Sequence, residues 1–255
     1  MKTKTCDERQ VTGDERNIVS RRRLSAGSIV NRKSKIANEL AFTLVEVLTV
    51  IAIIGVIAAL IFPVASAVKR RAFIQTAQTE MSQIETAIER YHSAYGFYPP
   101  ASTRTLNNVP VSQLYYELSG TFITNGNFET LDGSVQISPA NVQAAFGVSG
   151  FMNCNKPGAD ETSAHAQDFL PDLKLSQIGA ITNNGVTTSN LVTSAGGPDS
   201  DYQPCGQLDV NPWRYVYPGT NNPSSYDLWV QLKIAGQTNL ICNWDSRVQI
   251  NKPLP

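Results

Sequence analysis

The longest apolar run of the chain lies between residues 42 and 68. Its 27 residues contain one ionisable side chain, Glu46. A helix rises about 1.5 Å per residue, so a helix of this length is about 40 Å long. The run therefore predicts a helix that is long enough and apolar enough to cross a bilayer.

A second, amphipathic pattern continues directly from this run. Apolar residues recur at spacings of three and four, which is the period of one helix face; they are Phe73, Ala77, Met81, Ile84, Ile88, Tyr91 and Tyr95. We expect one helix from about Thr43 to Tyr95, loosened at Gly55, bent at Pro63, and ended by "YGFYPPAS". The stripe should pack against the sheet of a globular head.

The composition changes after residue 101, where Asn, Thr, Ser and Gly become frequent. Short alternating runs at 134–138 and 186–192 predict antiparallel strands between turns. Short helices are expected within 110–120, 139–147 and 166–173. The head should therefore be rich in loops, with a small antiparallel sheet.

The charges flanking the apolar run bear on targeting. Residues 1–41 hold ten Lys or Arg against five Asp or Glu, which favours a cytoplasmic location for this side. Lys69, Arg70 and Arg71 follow the run and weaken this bias. A cleavable secretory signal is the simpler alternative, but its apolar core has only about 7–15 residues. The "SRRRLS" at residues 20–25 lies too far from the run to indicate a twin-arginine signal.

The stretch "AFTLVEVLTVIAIIGVIAALIFPV" resembles the amino-terminal motif of type IV pilins and type II secretion pseudopilins. The resemblance implies cleavage by a prepilin peptidase between Ala41 and Phe42, and N-methylation of Phe42. Ala41 departs from the glycine that most members carry, and a 41-residue leader is long for the family.

The resemblance also suggests a role for Glu46 in assembly. A carboxylate in an apolar environment is costly without a partner. In a filament of such subunits, the partner would be the α-amino group of Phe42 in a neighbouring subunit. Glu46 also lies in the first helical turn, where negative charge is favourable. A Glu46 side chain that merely reaches towards polar headgroups is the alternative.

The segment "LDVNPWRYVYPGTNNPSSYDLWVQ", residues 208–231, extends the resemblance to major pseudopilins. It predicts a hairpin with its aromatic side chains on one face. Those pseudopilins bind calcium in a following acidic loop, but here residues 235–246 keep only Asp245 as a nearby carboxylate. Calcium prefers six to eight oxygen ligands, so we predict no metal site and no cofactor.

Other chemistry is poorly represented in the sequence. His92 and His165 have no accompanying nucleophile motif, and no phosphate-binding loop or zinc-ligand spacing is found. The net charge of zero gives no indication of nucleic-acid binding. We therefore predict that the protein is not an enzyme and has no catalytic residues.

Four cysteines are distributed over the chain, and Cys6 would leave with the leader. The remaining Cys154, Cys205 and Cys242 permit three alternative single disulfides. Cys205 with Cys242 is the preferred pair, because the predicted hairpin could bring its two flanks together.

These observations predict an α+β, pilin-like fold: a long kinked helix whose first half spans the membrane, packed on a small antiparallel sheet. The expected parts are a cleaved leader (1–41), a membrane or filament-core helix (42–68), its amphipathic continuation (69–99) and a periplasmic head (100–255).

The expected function is that of a structural subunit of a pseudopilus or pilus-like filament that supports type II secretion. The resemblance implies as partners the prepilin peptidase, further pseudopilin subunits, a secretion assembly platform and the bacterial inner membrane, which the chain would cross once. The alternative is a membrane-anchored head that binds a surface ligand or polysaccharide and uses the same export signal. A binding role predicts a pocket in the expanded region, residues 102–207.

Overall fold

A computed structural model of the chain describes residues 43–102, 104–106, 109–155, 165–183 and 185–253, and of residues 60–66 the backbone alone. The first element, α1, is a 52-residue helix, Leu44–Tyr95. Gly96 ends it in the left-handed conformation, with φ +79°, and donates its N–H to the His92 carbonyl at 2.8 Å. The predicted long helix and its end are confirmed.

The first half of α1 departs from its prediction. Among the residues that the structure fully describes, no helix is long and apolar enough to cross a membrane. The predicted membrane-spanning first half is therefore wrong. The helix is continuous through Gly55 and Pro63, and the bend at Pro63 stays a prediction. The chain divides into two units within α1, between Ile53 and Ile54.

The second half of α1 packs on the head as its periodicity predicts. Ala77, Ile84, Ile88 and Tyr91 are buried in the main core, and the other residues of the stripe are partly buried against it. The opposite face of this half is polar and exposed. Hydrophobic burial along one stripe thus fixes this half of the helix to the head.

The described strands of the head form four sheets instead of one small sheet. The first pairs β1 (Thr105–Leu106) with β2 (Val109–Pro110). The second has the order β5-β4-β3-β6, with β3 Thr121–Thr124, β4 Asn127–Thr130, β5 Gln136–Ile137 and β6 Cys154–Asn155. The third is the hairpin of β7 (Ile178–Asn183) and β8 (Val186–Leu191). The predicted single antiparallel sheet is wrong, because the expanded region forms sheets of its own and pairs β3 with β6 in parallel.

The fourth sheet lies at the carboxyl end and has the order β12-β11-β10-β9. Its strands are β9 Arg214–Val216, β10 Asp227–Ile234, β11 Gln237–Cys242 and β12 Asp245–Ile250. The predicted hairpin of β9 and β10 is confirmed. Its aromatic residues do not share one face, because Tyr215 lies in the main core with α1 whereas Trp229 lies in a second cluster with Cys242.

Two of the three short helices form where they were expected. The second helix, α2, spans Leu114–Ser119 and is buried along its whole length. The third, α3, spans Pro139–Phe146; the Ser138 hydroxyl accepts from the Asn141 N–H and caps its start. Residues 166–173 form no helix, and one 3₁₀ turn follows at Leu175–Gln177.

Candidate functional site

The start of α1 presents large apolar side chains to solvent on every side. Between residues 44 and 57, ten Leu, Ile or Val side chains are exposed by about half or more. They fall in adjacent pairs every third residue, so they surround the helix and leave no polar stripe; they are Leu44, Val45, Val47, Leu48, Val50, Ile51, Ile53, Ile54, Val56 and Ile57. A helix that is apolar all round is normally buried in a larger structure.

Glu46 lies within this apolar segment and forms a capping box with Thr43. Its Oε2 accepts from the Thr43 N–H at 2.8 Å and from the Thr43 hydroxyl at 2.9 Å. In return, the Glu46 N–H donates to the Thr43 hydroxyl oxygen at 3.2 Å. This reciprocal pairing satisfies two backbone donors at the helix start. The Thr-x-x-Glu spacing was visible in the sequence, and its significance as a cap was missed.

The capping box leaves half of the carboxylate available. Glu46 Oε1 accepts no hydrogen bond within the described part of the chain, whereas Oε2 is occupied by Thr43. The Thr43 backbone N–H lowers the pKa of Glu46, so the group is ionised at neutral pH. The other polar side chain nearby, Thr49, donates its hydroxyl to the carbonyls of Val45 and Glu46. Glu46 is therefore the charged group that the apolar segment presents.

A second carboxylate, Glu117, lies fully buried where α1 meets α2. It accepts from the Met152 and Asn153 N–H groups at 3.0 Å, from the Tyr91 hydroxyl at 3.1 Å and from the Gln113 amide at 3.2 Å. Burial raises the pKa of Glu117, and the hydrogen bonds oppose this effect in part. Four neutral hydrogen-bond donors therefore stabilise this carboxyl group in the core.

Asn153 extends this network to α1. Its side-chain oxygen accepts from the Tyr95 hydroxyl at 2.7 Å and from the Gln167 N–H at 2.9 Å. Its amide nitrogen donates to the carbonyls of Glu117 and Gln167, both at 2.7 Å. The network attaches the end of α1 to α2 and to the segment after residue 165. Sequence reasoning missed Glu117 and Asn153, because a lone polar residue gives no periodic signal.

A polar groove of about 820 Å³ runs along the second half of α1. The helix supplies Ser82, Glu85, Glu89 and Arg90, and the opposite wall includes Asp168. Burial, and the neighbouring Glu89, raise the pKa of Glu85. The groove offers acidic side chains, and its one aromatic ring, Phe169, is largely buried.

The cysteines predicted to pair do not do so. Cys205 and Cys242 are both buried free thiols. Cys242 pairs across the sheet with Trp229, and the next strand beyond Trp229 carries Arg214 at the paired position. Cys205 contacts the Val210 carbonyl and lies near Arg214. The central strand β10 therefore separates the two thiols, and the predicted disulfide is absent.

The other predicted site residues lie apart from Glu46. Ala41 and Phe42 lie outside the described residues. Asp245 accepts from the Arg247 N–H and the Gln249 amide, both at 2.9 Å. His92 is half-buried and stacks on Tyr98, with ring centroids 4.2 Å apart. Over the ranges that the structure describes, no cluster of His, Cys, Asp and Glu is arranged to hold a metal ion.

Comparison with known proteins assigns the chain to no family and no function. The chain matches no protein-family model, no curated protein and no solved structure.

Proposed function

We propose that this protein is a structural subunit of a pseudopilus-like or type IV pilus-like filament that supports protein secretion. The observation that carries the proposal is the start of α1, where ten exposed aliphatic side chains surround one half-satisfied carboxylate. The resemblance of residues 41–64 to prepilin motifs supports the same function.

The exposed aliphatic side chains favour association of α1 with other copies of itself. Burying one Leu, Ile or Val side chain is worth about 1.5–3 kcal/mol. Association costs an estimated 4–15 kcal/mol or more in lost freedom. Ten such side chains, if buried against copies of the same helix, would outweigh that cost. Packing α1 helices together into a filament core is therefore favourable.

The free Glu46 oxygen gives this core a polar contact. In the proposed filament, Oε1 accepts from the α-amino group of Phe42 in a neighbouring, processed subunit. Thr43 retains its backbone N–H after cleavage between Ala41 and Phe42, so the capping box is compatible with the mature chain. One carboxylate then serves two roles, since Oε2 caps its own helix and Oε1 receives the neighbour.

The proposal implies particular partners and a location for the protein. Prepilin peptidase would process the chain, a secretion assembly platform would incorporate it, and the head would face the periplasm. The alternative, a head that binds polysaccharide, gains little from the groove, because the groove exposes acids and no open aromatic ring face.

The test separates the charge of Glu46 from its capping role. Glutamine at this position of a capping box can still reach the first backbone N–H, so Glu46→Gln keeps the cap and removes the charge. We expect filament yield to fall at least tenfold when this variant is produced with the peptidase and the assembly platform. Sedimentation and electron microscopy of sheared filaments measure the yield, and mass spectrometry checks that the chain starts at Phe42.

Thr43→Ala is the matched control, because it removes the capping hydroxyl and keeps the carboxylate. We expect this variant to be processed and to assemble close to the wild-type level. If Glu46→Gln is processed and assembles as well as the wild type, the charge has no role in assembly. If the wild type itself forms no filament with the complete machinery, the proposed function is wrong.

A further inference from the structure

Arg214 on β9 is a charged side chain that lies almost completely inside the protein. It is 1% exposed, and it leaves the sheet on the face opposite to Tyr215, which packs in the core with α1. Burial lowers the pKa of Arg214, but a guanidinium keeps its proton in a protein. A buried positive charge is costly unless a partner balances it.

The two edges of the Arg214 guanidinium differ in their contacts. On one edge, Nη1 donates to the Pro212 carbonyl at 3.5 Å. On the other edge, neither Nε nor Nη2 has an acceptor among the described residues. The N–H groups of Nε and Nη2 point the same way and form the parallel pair of donors with which arginine binds anions. The unpaired edge is therefore the one suited to an anion.

A further buried donor without an acceptor lies at the neighbouring position of the sheet. Trp229 on β10 is the cross-strand partner of Arg214, so both side chains leave the same face of the sheet next to each other. Trp229 is 5% exposed, and its Nε1 has no acceptor in the part of the chain that the structure describes. Buried polar groups are normally hydrogen-bonded, so three unpaired donors at one place indicate an occupant that accepts.

The surroundings of Arg214 define the kind of occupant that fits. Its described electrostatic partners are the Tyr202 hydroxyl and the Cys205 thiol, and no carboxylate is among them. The Tyr202 hydroxyl donates to the Gln231 side-chain oxygen at 3.0 Å. A water molecule would bring two hydrogens that also need acceptors, whereas an anion only accepts and also balances the charge. Because Arg214 and Trp229 are almost fully covered, the anion must be small.

We propose that Arg214 and Trp229 bind a small monovalent anion of the size of chloride. The donors are Nε and Nη2 of Arg214 and Nε1 of Trp229. Tyr202 and Cys205 belong to the segment that covers this face of the sheet, so the bound anion attaches that segment to β9 and β10. The site is separate from the apolar start of α1 and does not depend on the filament function.

Chloride-dependent stability tests the site in the full-length chain, kept in solution by a nonionic detergent. Chloride replaces gluconate, an anion too large for the site, at constant ionic strength, and unfolding is followed by tryptophan fluorescence. A ligand that binds only the folded state stabilises it by mass action. We expect Tm to rise by about 3 °C or more when about 100 mM chloride is present.

Two variants and one crystallographic measurement assign the effect to this site. Arg214→Met keeps a buried side chain without the donors and should lose the shift in Tm. Arg247→Met is the matched control, an exposed change on β12 of the same sheet, and should keep the shift. Crystals of the wild type grown in bromide should show an anomalous peak in contact with Nε and Nη2 of Arg214, which tests the site even if Arg214→Met does not fold.

Several results would overturn the proposal. They are a wild-type Tm that chloride does not change, an equal shift in Arg214→Met, and a water molecule in place of bromide. A bromide peak without any shift in Tm would mean an adventitious ion only, with the same consequence. A shift that appears only in Cys205→Ala would make the Cys205 thiolate the partner of Arg214 and would also overturn it. None of these results bears on filament formation, which the Glu46 variants test.

Discussion

The two halves of α1 belong to one continuous helix and differ in how they meet the rest of the protein. Residues 73–95 bury one stripe in the core, with Ile88 and Tyr91 fully buried. Residues 44–57 carry apolar side chains all round, and these are exposed. The described residues therefore cover the apolar stripe of the second half and leave the apolar side chains of the first half exposed.

Two carboxylates, Glu46 on the first half and Glu117 of α2 against the second half, are satisfied differently. Glu117 is buried against the second half and is satisfied by four donors. Glu46 is exposed on the first half and is satisfied on one oxygen by Thr43. One acid accepts hydrogen bonds on both oxygens within the described fold, and the other accepts on one oxygen alone. The following variants test this contrast.

The largest effect is expected from removing the buried carboxylate. Glu117→Leu leaves the Met152 and Asn153 N–H groups without acceptors, and each unpaired group costs about 1–3 kcal/mol. The Tyr91 hydroxyl and the Gln113 amide also lose their acceptor. We expect the free energy of unfolding to fall by about 2–6 kcal/mol, the cost of leaving the two buried backbone N–H groups unpaired. Urea denaturation followed by tryptophan fluorescence measures it.

Glu46→Leu is the matched variant on the first half, and it should leave the unfolding of the head unchanged. An equal loss of stability from the two variants would contradict the contrast between the two acids.

A smaller effect is expected from truncating isoleucine in each half. Ile88 is 0% exposed and Ile54 is 59% exposed. Ile88→Ala should lower the free energy of unfolding by about 2–4 kcal/mol, because it leaves a cavity in the core. Ile54→Ala should change it by less than about 0.5 kcal/mol, as exposed substitutions usually do. Parallel urea titrations compare them, and a similar loss for Ile54→Ala would show that the first half is packed within a single chain.

The smallest effect concerns pH. The pKa of Glu117 is raised in the folded protein above its ordinary value of 4.5. Its contribution to stability is therefore greatest below pH 4.5 and is lost as pH rises through the folded pKa. One proton gives a slope of at most about 1.4 kcal/mol per pH unit.

Glu117→Gln should remove this component of the slope between pH 4.5 and neutrality, whereas Glu46→Gln should leave it in place. Unfolding free energies measured at several pH values in this window supply the comparison. A slope that survives unchanged in Glu117→Gln would assign it to another acid, such as Glu85 or Asp168, whose pKa values burial also raises.

Several elements could be predicted from the sequence because their causes are local. The end of α1 follows from Gly96 and the prolines, and the buried stripe follows from residues spaced three and four apart. The hairpin of β9 and β10 follows from β-forming runs on either side of a turn. The unusual character of Glu46 was also visible, because it interrupts an apolar run. These features depend on neighbours within a few residues.

Other features were decided by the tertiary structure, because their causes are contacts between residues distant in sequence. Glu117 meets Met152 and Asn153 across 35 and 36 residues, and this pairing makes burial of the acid possible. The four sheets and the separation of Cys205 from Cys242 likewise depend on which strands pair. The sequence by itself determined the long helix, the stripe and the single charge in the apolar run. Only the tertiary structure decided which of those side chains are covered, because burial depends on the surfaces that distant segments bring together.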